Sequence, residues 1–191
     1  MRKLLALLLA LFMLPTLLCA CDNTDTTDNN DSSNTSYTIS TNEDLTYSYK
    51  IIANNGAVLF SDDRSPKEPK IDQIGDNVLS ATVQTGTGRS TNWAVFCDIA
   101  NAKTSETFQY VLGAQDNYVF YVEFKDDHHL LVVQDIFDSS IYYKTYTLQD
   151  CSSFADPMCE LTFNSKGQAT ITYLTGTETT ISQTSATIYF P

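Results

Sequence analysis

The chain has 191 residues, 42% of them hydrophobic, five cysteines and a formal charge of −12 at pH 7. That length supports one domain with a proper core rather than two ordinary ones. The acidic excess, 23 carboxylates against 11 basic side chains, argues against nucleic acid or an anionic membrane face as partner, since both require clustered Lys and Arg.

The N-terminus opens on Arg2 and Lys3, runs apolar from Leu4 to Leu14, breaks at Pro15 and Thr16, and resumes with Leu17 and Leu18 before polarity begins at Asp22. A charged start, a short apolar centre and small residues at its end are the parts of a secretory signal. The run is short and carries a proline, which makes it a poor permanent membrane span. Its last residues, Leu18-Cys19-Ala20-Cys21, resemble the lipobox of bacterial lipoproteins, with a small residue directly before the acceptor cysteine. The resemblance implies diacylglyceryl transfer to the Cys21 thiol, signal-peptidase cleavage between Ala20 and Cys21, and acylation of the new amine by palmitate-type chains. It also implies attachment to the extracytoplasmic face of the bacterial cell membrane. Cys19 is the poorer acceptor, because Leu18 would then stand where the lipobox has a small residue. One acyl chain holds weakly, whereas two or more hold stably.

Residues 22–36 read DNTDTTDNNDSSNTS, without one apolar side chain. Such a segment buries too little surface to offset its ordering entropy, so it is expected to be a disordered tether. Fully extended it would reach roughly 50 Å. Asp22, Asp25, Asp28 and Asp31 lack the glycine and closing glutamate of a calcium loop. The expected organisation is a signal peptide over residues 1–20, a lipidated cysteine and tether over 21–44, and a β-domain over 45–191.

Beyond the signal, Val, Ile, Thr, Tyr, Phe and Trp outnumber the residues that favour helix, which points to sheet. Asn54-Asn55-Gly56 between two apolar runs predicts a hairpin. Tyr118, Phe120, Val122 and Phe124 share one face of a predicted strand and Val119 and Tyr121 the other, as in a central strand. In residues 168–175, Ile171 and Tyr173 oppose Thr170 and Thr172, as in a half-buried strand. The expected fold is all-β: an antiparallel meander of about 10–12 short strands forming a barrel or a sandwich. The alternative is a blade-like repeat. Asp76-Asn77 with Asp98-Ile99, and Asp116-Asn117 with Asp135-Ile136, mark two units, and Phe163-Asn164-Ser165-Lys166-Gly167 the centre of a third.

Chemistry is sparse. Cys151 and Cys159 flank a short segment, and export would permit a disulfide between them. Cys97 follows Val95 on an apolar strand and reads as a buried, inert thiol. His128 and His129, preceded by Asp126 and Asp127, fit a polar hairpin turn better than a metal site, because strand neighbours point to opposite faces. Gly86-Thr87-Gly88-Arg89 lacks the lysine and helix of a phosphate loop. Asp135 and Asp138 are paired carboxylates of the kind glycosidases use, but they also fit an Asx-type turn before Ile141, the commoner use of such residues. No cofactor or metal ligand set emerges.

Aromatic side chains carry the functional expectation: Trp93, Tyr142 and Tyr146, the last two on one face across Lys144, are candidate ligand-stacking residues. The sequence thus suggests a lipid-anchored, non-catalytic binding domain with a glycan or protein partner. An accessory subunit of an envelope complex is the second reading, and an envelope hydrolase the third.

Overall fold

The computed structural model describes residues 36–88, 91–151, 159–177 and 179–191; the lipobox-like segment with Ala20 and Cys21, the aspartates of the tether, and Arg89 lie outside them. Among these described residues fifteen strands, all paired antiparallel, form four separate sheets. Sheet A holds β1 (Tyr37–Thr41), β2 (Tyr47–Ile52) and β3 (Val58–Ser65) in that order. Sheet B runs β4 (Lys70–Ile74), β5 (Val78–Gln84), β6 (Asn92–Asp98) and β7 (Lys103–Thr104), with β8 (Phe108–Gln109) also paired to β6. Sheet C is a meander of β9 (Val111–Gln115), β10 (Tyr118–Lys125), β11 (His128–Asp135) and β12 (Tyr143–Thr147). Sheet D holds β13 (Glu160–Ser165), β14 (Gln168–Thr177) and β15 (Thr180–Tyr189).

The sheets stack face to face in chain order, and three apolar cores separate them. Tyr49 and Ile51 of sheet A meet Leu79, Ala81, Val83, Val95 and Cys97 of sheet B. The opposite face of B, with Ala94, Phe96 and Phe108, meets Val119, Tyr121 and Val132 of C. The other face of C, with Phe120, Val122, Leu131 and Val133, meets Ala169, Ile171, Tyr173 and Ile188 of D. Strand alternation sends neighbouring side chains to opposite faces, so a strand apolar at every position needs a layer on each side. β10 has that pattern from Tyr118 to Val122 and lies inside the stack there.

The all-β antiparallel expectation holds in its open, sandwich-like form, and one boundary is corrected. The sheets do not close into a barrel: among the described residues each keeps its own edges. β5, β6, β10 and β11 bury residues on both faces, which demands a layer on each side. The folded unit also begins earlier than residue 45, because β1 pairs with β2 from Tyr37↔Ile51 to Thr41↔Tyr47 and Ile39 packs into the A–B core.

One hydrogen-bond tie recurs in three of the sheets. The Ile99 amide donates to the Asn77 carbonyl in sheet B at 2.9 Å, and the Ile136 amide to the Asn117 carbonyl in sheet C at 2.8 Å. In sheet D the Phe190 amide donates to the Gly167 carbonyl at 3.0 Å. Each bond ties the end of a unit's third strand to the turn joining its first two, so these turns lie at one end of B, C and D.

Candidate functional site at the turn end of sheets B, C and D

The turns Gly75-Asp76-Asn77 and Asp116-Asn117 require positive φ, at Gly75 (70°) and Asp116 (54°), which glycine and aspartate tolerate. With Asp98, Asn101, Tyr118 and Lys166 these turns line a cavity of about 610 Å³. Asp98 is committed to its own turn: its carboxylate accepts from the Ala100 and Asn101 amides at 3.1 and 3.0 Å and from Asn101 Nδ2 at 2.7 Å. Its pKa is lowered; burial opposes these hydrogen bonds and is outweighed by them. Asp76, Asn77, Asp116 and Asn117 supply further carboxylate and amide groups to the wall, and Tyr118 supplies an aromatic ring.

Tyr118 continues into a cluster along the C–D interface. Its ring lies 5.3 Å from that of Tyr142 and 5.7 Å from that of Phe190, both edge-on. Burial, together with the neighbouring Tyr146, pushes Tyr142 up to about 12. Tyr146 in turn donates to the Tyr189 carbonyl at 3.0 Å, and the Lys144 ammonium sits 4.8 Å from its ring centre. The structure therefore brings Tyr142 and Tyr146 together. Trp93 does not join them: it packs edge-on against Phe60, 6.1 Å between ring centres, in the A–B core. Sheets B and C stand between the two places.

The other candidates have local roles. Asp135 accepts from the Phe137 and Asp138 amides, both at 2.9 Å. Asp138 accepts from the Ser140 hydroxyl and amide at 2.6 and 2.9 Å, bonds that lower its pKa. Both are Asx-type turns. Asp126 and Asp127 adopt positive φ, 51° and 62°, in the two-residue turn between β10 and β11. His129 lies against the Phe124 ring, centres 5.0 Å apart, and burial depresses its pKa. No cluster of three His, Cys, Asp or Glu able to hold a metal exists among the described residues. Cys97 is wholly buried, which pushes its thiol up to about 11. Cys151 and Cys159 stand in contact as thiols, and that contact lowers the Cys151 pKa.

Sequence reasoning passed over two features. Asp76-Asn77 and Asp116-Asn117 read only as repeat markers, although their recurrence is the signal for the shared turn end. A buried polar chain also went unnoticed: Tyr121 donates to Gln134 at 2.9 Å, and Gln134 donates to Glu106 at 3.1 Å. Gln134 is 3% exposed, and Glu106 and Tyr121 open onto a second cavity of about 590 Å³ beside β10. Compared with protein-family models, curated proteins and solved structures, the chain matches none.

Proposed function

We propose that the protein is a lipid-anchored lipoprotein of the extracytoplasmic membrane face whose stacked β-domain binds a polar, hydroxyl-rich ligand of the glycan type without catalysis. The observation that carries this reading is the turn-end cavity, where carboxylate and amide side chains from two sheets converge beside the Tyr118 ring. Carboxylates and amides match the paired donors and acceptors of sugar hydroxyls, and a tyrosine face matches their apolar ring surface. Binding groups on turns held by a rigid scaffold are a common arrangement. The non-catalytic reading is supported by Asp135 and Asp138, whose carboxylates are engaged by turn amides.

Thermal unfolding against a glycan panel tests the ligand. A glycan at about 100 times its Kd stabilises by roughly 2.7 kcal/mol. For a domain of this size that raises Tm by about 5–10 °C. Tyr118→Ala should abolish the shift. A panel without any shift removes the glycan reading and leaves the accessory-subunit reading. The anchor is tested separately: Cys21→Ala should leave precursor of full length without incorporated palmitate. Normal cleavage and lipidation of that variant would overturn the anchor assignment.

A further inference from the structure

Two thiols meet along one edge of β14. Cys151 forms an isolated antiparallel bridge with Thr175. β13 enters its ladder with Glu160 opposite Thr172, so continuing that register brings Cys159 alongside Tyr173. The two cysteines therefore stand beside residues two apart on the same strand. Two residues of strand span about 6.6–6.8 Å. That lies at the upper end of the Cα separations, about 4.4–6.8 Å, that a disulfide bridges.

Tyr173 and Thr175 project to one face, and side chains paired across a ladder project with their partners. Both sulfurs are thus directed to the face that packs on sheet C. Cys159 is 1% exposed within that core, and Cys151 packs against it from a partly exposed position. A cavity of about 680 Å³, lined by Cys151 with Asp150, Tyr173, Thr175 and Thr184, opens onto Cys151, whereas Cys159 is not in its wall. The neighbouring Cys159 thiol favours the Cys151 thiolate, against the opposing effect of burial.

We propose that Cys151 and Cys159 are a reactive dithiol, oxidised by thiol–disulfide exchange with a small-molecule or protein disulfide, in which Cys151 attacks and Cys159 resolves. The Cys151 thiolate attacks one sulfur of the reagent disulfide; the S–S bond breaks, one thiolate leaves, and a mixed disulfide remains on Cys151. Cys159 then gives up its proton, and its sulfur attacks that of Cys151 and expels the second thiolate. The protein pair loses two electrons and two protons, and the reagent is reduced to two thiols. The product ties the chain covalently on both sides of residues 152–158 at the edge of β14. This role is independent of ligand binding at the turn end.

The test is oxidised glutathione added to the fully reduced full chain, with every cysteine assigned by peptide mapping. Wild type is expected to yield a Cys151–Cys159 cross-linked peptide, with Cys97 still a thiol. Cys159→Ser is expected to stop at a glutathionylated Cys151, and Cys151→Ser to leave Cys159 unmodified over the same time. Absence of the cross-linked peptide in wild type would overturn the pairing, and that result needs no variant to fold. Glutathionylation of Cys159 in Cys151→Ser, as fast as that of Cys151 in Cys159→Ser, would overturn the order of attack.

Discussion

Phe120 gives the sharpest test of the layered architecture. Its side chain is 0% exposed, and its ring lies edge-on to Phe163 at 5.3 Å and to Phe190 at 5.0 Å between centres. Phe163 and Phe190 are also edge-on to each other, 6.4 Å between centres, so the three rings form one cluster across the C–D interface. Truncating a buried Phe to Ala costs about 3–5 kcal/mol, through lost transfer energy and the cavity left behind. Each edge-to-face pair is worth about 0.5–1.5 kcal/mol beyond burial, which places Phe120→Ala near the top of that range. Phe120→Leu keeps most of the volume and loses the two ring pairs, so about 1–3 kcal/mol is expected.

Urea denaturation of wild type and both variants measures these values, and Phe120→Ala should lower Tm by roughly 10–20 °C. Because sheet D is held to the rest by the C–D core, hydrogen exchange in Phe120→Ala should accelerate in β14 and β15 before it does in β2 and β5. A loss under about 2 kcal/mol would refute the energetic argument. Equal acceleration in sheets A and D would refute the layered one.

The glycine turns separate backbone strain from steric contact. Gly75 and Gly167 share nearly the same φ, 70° and 73°, yet a Cβ at Gly75 meets nothing within 4 Å, while one at Gly167 lies 2.9 Å from the Phe190 carbonyl oxygen. Gly75→Ala should cost about 1–2 kcal/mol from φ alone, and Gly167→Ala distinctly more; equal urea midpoints would contradict this. Cys97 should produce a fall in stability at alkaline pH. Its folded pKa, about 11, lies above the ordinary thiol value of 9.0, so between those values the unfolded chain releases a proton that the folded chain keeps. The contribution is intact below pH 9 and declines by about 1.4 kcal/mol per unit as pH rises toward 11. Urea midpoints at pH 8.5 and 10 should therefore converge in Cys97→Ala relative to wild type, and an unchanged slope would remove the claim.

Much of this architecture is legible in short stretches. The alternation of Tyr118 to Phe124 announces a strand covered on both sides, and β10 is one, although Phe124 runs past the neighbouring sheets to 63% exposure. Asn54-Asn55-Gly56 announces its hairpin, and Gly56 adopts φ 86° there. Period two tells which face a side chain occupies but not which sheet covers that face. For that reason Trp93 and Tyr142 look equivalent in sequence and lie in different cores. β1 escaped notice because Tyr37 and Ile39 are its only large apolar residues among Thr and Ser, and its pairing depends on β2. The turn-end cavity was illegible as a site because its residues come from three sheets, and only the stacking register brings them together.

A ring of sheets works only at the number that lets its first and last members meet. The A-to-D stack has no circumference to satisfy. Each sheet must match only its immediate neighbours, and the amide-to-carbonyl tie that fastens a strand end to its own turn recurs within B, C and D. Such an arrangement can gain or lose one meander by duplication or deletion without refitting the others, and the spare copy is free to diverge at its turns.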